Sequence, residues 1–330
     1  MNTARATLMS ATCSALLVAT VAHATTIDTF GSGLNTFNIE FVAIGNPGNL
    51  PDTTGNPNPA GTVLDPYRIG KFEISEQMIA KANDEGGLGI TKDTRGPDKP
   101  ATSVSWNEAA RFVNWLNTST GSTPAYKFAD QPGEVGYSAD AHIELWTPSD
   151  AGYNPSNLYR NSLARYVLPS AHEWYKAAYY DPSANGGGGY WNYPTGSDTV
   201  PTAVASGTAA DTAVYGQSEA TGPADITLAG GLSPYGTMGQ GGNVFEWEET
   251  DFDLVNDSSS SARGRRGGEW GGSFGFLSSS NRGSGSPAGV SSVIGFRVAS
   301  IPEPSTLAMA AIAIVAVLAS AGSRAGNTTK

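Results

Sequence analysis

The chain has 330 residues and a formal net charge of −11, with 39% hydrophobic and 15% charged residues, 41 Gly and 20 Pro. That length suits one large domain or two small ones, and the composition is that of a loop-rich globular protein, not a helical bundle or a highly charged disordered chain. The acidic balance argues against a nucleic-acid phosphate backbone as partner. The single cysteine, Cys13, sits in the N-terminal leader, so the rest of the chain offers no disulfide, zinc-thiolate site or cysteine nucleophile. Beyond the leader's His23 only His142 and His172 remain, which excludes a multi-histidine metal centre.

Residues 1–24 read as a secretory signal peptide: Arg5 precedes a short apolar stretch, Ala15 to Val21, and Ala22-His23-Ala24 fits the small-x-small cleavage rule. The apolar stretch is too short to span a bilayer comfortably. Phe37, Ile39 and Phe41 alternate as in a strand, with Val42 and Ile44 after them. Asn46 to Pro59 is a Pro-, Gly- and Asn-rich loop. Tyr67 to Ser75 alternates again and reads as a second strand, followed by a short helix over Glu76 to Asn83.

Ser105-Trp106-Asn107-Glu108 is a capping box, and Ala109, Phe112, Val113 and Leu116 follow at helical spacing, so a helix is predicted from Trp106 to about Asn117. Residues 118–165 read as a polar insertion with short strands around Ile143 to Trp146. Ser170 and Glu173 repeat the capping logic, with Trp174, Ala177 and Ala178 facing inward and His172 on the surface. From Asp181 to Tyr235 the chain is rich in Gly, Ser, Thr and Ala, and its Gly186–Gly189 run lacks the Lys-Ser/Thr of a phosphate loop.

The stretch around which the rest is organised is Gly241-Gly242-Asn243-Val244-Phe245-Glu246-Trp247. The glycines permit positive φ or close backbone approach. In a strand, Phe245 and Trp247 share one face and Glu246 takes the other. Two readings stay open: a glycine turn feeding a core strand, or a hard-cation site in which oxygen ligands bunch in a tight turn, as suits calcium. Arg266 to Trp270 and a strand-like Gly295-Phe296-Arg297-Val298 close the body.

After Pro302-Glu303-Pro304 comes an uncharged run, residues 305–323, and then Arg324. At roughly 1.5 Å per residue that run can cross a bilayer core of about 30 Å, and the positive charge beyond it favours a cytoplasmic end. This tail, residues 301–330, resembles the PEP-CTERM sorting signal of Gram-negative bacteria. The resemblance implies handling by exosortase-type sorting machinery, transient membrane anchoring, and delivery of the body to the cell surface or an extracellular polysaccharide matrix.

The ordered pieces of residues 25–300 resemble the sulfatase-modifying-factor, or formylglycine-generating-enzyme, family. They are the Tyr67–Ser75 segment, Ser103-Val104-Ser105-Trp106, Leu168-Pro169-Ser170 with Glu173-Trp174, the Gly241–Trp247 stretch, Arg266-Gly267-Gly268-Glu269-Trp270 and Gly295-Phe296-Arg297. The family implies an α+β fold: an irregular, loop-rich domain related to C-type lectins, with few short helices, short strands and bound calcium. It places calcium donors at the carbonyls of Gly242 and Val244 and the side chain of Glu246, while Gly239 stands where the family often has an acidic residue. A first calcium site of the family would fall within Asp211–Asp225, where no ligands are assigned. The family's oxidising enzymes carry a cysteine pair at places that fall on Gly272 and Leu277, so copper–thiolate chemistry is not expected here. Its sulfoxide-forming iron enzymes use histidines of a separate helical domain, which has no counterpart in this sequence.

The leading expectation is a non-catalytic surface or matrix module that binds a glycan or a surface protein. Trp191, Tyr193 and Trp270, with Glu269 and Arg282, are its candidate ligand contacts, each aromatic being as readily an ordinary buried ring. A second reading is an enzyme built on Glu246, Glu269, Arg266, Arg282 and Arg297 converging on one cavity. A third is a structural coat protein.

Overall fold

A computed structural model of the chain describes residues 25–301. The expected signal peptide, and residues 302–330 of the expected sorting tail with its span, lie outside the described residues. Among those described, no helix is long and apolar enough to cross a membrane.

In chain order the strands are β1 (Thr25–Phe30), β2 (Phe37–Ile44), β3 (Tyr67–Gly70), β4 (Tyr166–Val167), β5 (Tyr180–Asp181), β6 (Gly189–Tyr190), β7 (Thr202–Ala203), β8 (Thr212–Ala213), β9 (Phe245–Asp251), β10 (Arg263–Arg266), β11 (Gly283–Gly285), β12 (Ile294–Gly295) and β13 (Ala299–Ser300). Three α-helices join them: α1 (Glu76–Gly86), α2 (Trp106–Ser119) and α3 (Ala171–Tyr179). The result is the expected loop-rich α+β domain. A five-stranded sheet runs β1-β2-β3-β13-β4, and a four-stranded sheet runs β11-β10-β9-β12.

The helices begin where local chemistry says they should. Both capping boxes form, Ser105 with Glu108 and Ser170 with Glu173, each hydroxyl accepting the N3 amide while the glutamate accepts the cap amide. α2 buries Phe112, Val113 and Leu116 completely, and Trp174, Ala177 and Ala178 of α3 are equally hidden. Phe37 stacks on Trp115 at 5.8 Å and on Phe112 at 6.2 Å, which fixes α2 against β2.

Some expectations are revised. Only Tyr67–Gly70 of the second predicted strand pairs as a strand, because Ser75 turns to cap α1 by accepting from Met78 N. Around Ile143 to Trp146 there is one isolated bridge, Lys127 to Glu144, in place of strands. His172 is half-buried and not on the surface: its Nδ1 accepts from the Gly61 amide at 3.1 Å, and burial pulls its pKa down. The loop-rich 181–235 region carries the two-residue ladders β5–β6 and β7–β8.

Candidate functional site

The central stretch is a turn clamped from three directions. Gly242 has φ +87°, and a Cβ there would lie 2.2 Å from the Val214 carbonyl oxygen, so only glycine fits. Its amide donates to Gly267 O at 2.7 Å, and Asn243 N donates to Val214 O at 2.8 Å. Asn243, at φ 60°, takes a left-handed conformation that asparagine tolerates. Its fully buried side chain accepts from Ala224 N at 2.8 Å and donates to Glu73 Oε1 at 2.9 Å.

β9 then runs antiparallel to β10 and parallel to β12, with Phe245 opposite Ile294 and Glu246 opposite Gly295. The expected split of faces holds. Trp247 points to Val104, its Nε1 donating to the carbonyl at 3.0 Å, while Glu246 points the other way. The parallel pairing brings Arg297, two residues past Gly295, onto Glu246. Arg297 donates from Nη2 to Oε1 and from Nε to Oε2, both at 2.6 Å, and Trp174 Nε1 adds a third bond to Oε2 at 2.7 Å. Glu246, Arg297 and Trp174 are all fully buried.

The same pattern runs the length of β9. Glu248 pairs with Arg266 and with Arg282, the latter at 2.8 Å. Glu249 accepts from Arg160 at 2.7 Å and from the Tyr126 hydroxyl at 2.8 Å. Asp251 pairs with Arg263, whose guanidinium lies 4.4 Å from the Trp106 ring centroid. These four carboxylates are fully buried, and each is charge-compensated.

Glu73 is the exception. It is 1% exposed; Oε1 has Asn243, but Oε2 has no partner. Burial, and next the charge of Glu246, push its pKa up to about 8. It stands where residue 239 has no side chain: a Cβ on Gly239 would fall 2.6 Å from Glu73 Oε1.

The calcium expectation can be tested against this donor set. Among the described residues no three His, Cys, Asp or Glu side chains converge as a metal site, so any cation here leans on backbone carbonyls. A carboxylate oxygen accepts two bonds readily. Oε2 of Glu246 has two donors, Oε1 has one, and Glu73 Oε2 has none. Oxygen acceptor capacity thus remains on Glu73 and Glu246, of the hard kind that calcium takes. Nothing in the sequence pattern marked Glu73, 173 positions before Glu246 and separated from it by most of the fold.

The predicted ligand contacts do not come together. Tyr193 is 8% exposed and packs with Ala213 and Leu277; Trp270 is 3% exposed and packs with Val214, Ala224 and Val244 under the Arg95 guanidinium. Arg282 is buried on Glu248. Those three are internal, because the Gly-rich loops fold their rings inward instead of presenting them. Trp191 is half-buried with Nε1 on Asp181, and Glu269 is half-exposed, accepting from Gly271 N at 2.6 Å. Glu269 therefore stands apart from the arginine-paired carboxylates with which an acid–base centre would need it. At the places of the family's cysteine pair, Gly272 lies half-exposed and Leu277 is fully buried, its carbonyl accepting from Tyr179 Oη at 3.0 Å.

No curated protein matches the chain. Among solved structures, Treponema denticola variable protein 1 is similar at TM-score 0.55 and 19% identity, covering 84% of this chain and 99% of that one. CarF is similar at 0.52 and 20%, covering 80% and 99%. PvdO from Pseudomonas aeruginosa is similar at 0.51 and 18%, covering 83% and 98%. At such identities the likeness speaks to the fold alone. The profile of the sulfatase-modifying factor enzyme 1-like domain matches residues 41–301, and the chain belongs to that FGE-sulfatase family.

Proposed function

We propose that this protein is an exported surface or matrix protein whose family domain serves as a non-catalytic module binding a glycan or a surface protein. The observation that carries the reading is Leu277. It occupies one of the two places where the resemblance puts a reactive cysteine, and it is wholly buried among Tyr193 and Ala213. The chain's one cysteine, Cys13, lies in the leader. The arginine-paired carboxylates argue against an acid–base centre, since Glu246, Glu248, Arg266 and Arg297 have no exposure through which a substrate could reach them.

Export and sorting rest on the terminal segments alone: the leader, then Pro302-Glu303-Pro304, the apolar run and Arg324. Calcium belongs to the same proposal. Glu73 and Glu246 with the carbonyls of Gly242 and Val244 would hold it, and bound there it would supply the positive charge that two buried carboxylates sharing one arginine lack.

The test uses the full-length chain in a zwitterionic, sugar-free detergent, incubated with extracellular polysaccharide and with surface protein extracts. Retention on one of them supports the module. Turnover of a sulfatase-derived cysteine peptide would overturn it. For calcium, calorimetry and melting with and without chelator decide: a chelator-sensitive melt that Glu73→Gln abolishes supports the site, and identical melts remove it.

A further inference from the structure

The geometry points to a docking site for an acidic peptide segment of a surface protein, in which Arg265 receives a carboxylate and the exposed rings of Phe274 and Phe276 receive an apolar side chain beside it. This rests on the module reading above and chooses its protein partner over its glycan. The site is built from β10 and from the short turn Phe274–Leu277.

Arg265 is the exception among the arginines of an acidic chain. Among the described residues every other arginine pairs with a carboxylate. Arg265 has no ion pair and no hydrogen bond there, and its Nε is buried without an acceptor. Arg265 and Arg266 are neighbours on β10, so they take opposite faces: Arg266 turns to Glu248, and Arg265 turns to Phe245. Glu269, the acid of the following loop, is engaged by Gly271 N and not by Arg265. Burial pulls the Arg265 pKa down, and no acceptor offsets it. A half-buried donor group in this state gains from any ligand that supplies the missing acceptor. The group is also held in place. Its guanidinium lies 4.9 Å from the Phe245 centroid. Across the ladder stands Gly283, where a Cβ would fall 3.2 Å from Nε and 3.4 Å from Cγ. A guanidinium laid on a ring keeps its edge free, as a planar fork that matches a carboxylate with two parallel hydrogen bonds.

The rings beside it select the rest of the ligand. Phe276 meets Phe245 edge-on at 5.7 Å and is still 42% exposed, and Phe274 is 50% exposed. Buried Leu277 pins the turn that presents them, its carbonyl accepting from Tyr179 Oη. Neither phenylalanine carries a hydrogen-bonding atom, so the pair suits an apolar side chain and offers the hydroxyls of a sugar nothing. Side chains two apart in an extended peptide share a face at a spacing of about 7 Å. That spacing falls within the two steps, 4.9 and 5.7 Å, that lead from the guanidinium through Phe245 to Phe276. The fitting segment is therefore an acidic residue followed two positions later by a large apolar one.

The experiment passes the full-length chain, in the same detergent, over acetylated, amidated peptides immobilised at high density. Their centres are Glu-Ser-Leu, Gln-Ser-Leu and Glu-Ser-Ser, and a polyuronate surface runs beside them. Glu-Ser-Leu is expected to bind, with both altered peptides about tenfold weaker or more. Arg265→Gln should weaken Glu-Ser-Leu by about tenfold or more, since a charge-assisted pair is lost. Phe274→Ser changes an exposed ring and should weaken it by about threefold or more, which keeps the test standing if Arg265→Gln fails to melt like the parent. Equal binding of Gln-Ser-Leu, or Glu-Ser-Leu binding untouched by both variants, overturns the site. Polyuronate bound in place of the peptide, with the same dependence on Arg265, overturns the protein partner. No peptide binding beside retention on polysaccharide or surface protein removes this site and leaves the module standing; retention on none of them removes both.

Discussion

Replacing Glu246 by glutamine isolates what the buried carboxylate does. The amide keeps the volume, so no cavity opens. Three donors converge on the native group, two from Arg297 and one from Trp174. An amide oxygen can take the two that meet at Oε2, but its NH₂ then faces the Nη2 donor at Oε1. Arg297 keeps carbonyl partners at Gly70, Lys71 and Met238, yet its charge is left fully buried with no formal counter-charge. Breaking such a pair costs about 3–5 kcal/mol. Glu73 is held protonated first by burial and next by the Glu246 charge; freed of that charge, it ionises more readily and offers a partial counter-charge. The expected loss is therefore at the lower end, about 3 kcal/mol, or roughly a 6 °C drop in Tm for a domain of this size. Urea unfolding followed by tryptophan fluorescence gives the free energy, and calorimetry the Tm. The double variant Glu246→Leu/Arg297→Met should recover much of the loss, because an apolar pair removes both charges together. A Glu246→Gln protein within 1 kcal/mol of the parent, or a double variant as unstable as the singles summed, would refute the reasoning.

The remaining predictions concern neighbouring groups. With chelator present, Glu73 should make the fold more stable in acid. Its folded pKa of about 8 exceeds its unfolded 4.5, so its contribution is complete below pH 4.5 and is lost as pH rises to about 8, by on the order of 5 kcal/mol. Glu73→Gln should flatten that slope in denaturant titrations across pH 4–9, and an unchanged slope assigns it elsewhere. Gly239→Ala forces a side chain into φ +79° and against Glu73; a loss of about 1–3 kcal/mol is expected, and Gly239→Ala combined with Glu73→Ala should cost less than the two singles added. Ser105→Ala removes the α2 cap and the 2.6 Å bond to Asp140; urea unfolding should show a loss of about 1–2 kcal/mol.

β9 explains why a chain with only 15% charged residues buries so many of its charges. A strand buried along nearly its whole length would ordinarily be apolar throughout. Here Glu248 and Asp251 meet Arg266 and Arg263 of β10, while Glu249 meets Arg160 and Glu246 meets Arg297, each from a segment distant in the chain. Such pairs add little net stability over apolar packing, but each penalises any arrangement that separates its partners. In a domain with short strands and long loops, that specificity tells each loop where to sit.

Much of the local structure was legible in the sequence. The capping boxes at Ser105 and Ser170, the alternation over Phe37 to Ile44, the opposed faces of Trp247 and Glu246, and the loop-rich α+β class all follow from hydrogen bonds and side-chain periods within a few residues. What the sequence could not show was which distant groups meet. That Arg297 reaches Glu246, that Glu73 fills the space at Gly239, that Trp270 and Tyr193 turn inward, and that the Trp146 indole bonds the carbonyls of Ala125 and Tyr159 all depend on how loops return to the core. Loop return is decided by closure entropy and by the match of buried donors to acceptors across the whole fold. Neither leaves a periodic trace in neighbouring residues, and so the partners of each buried charge were set by the tertiary structure alone.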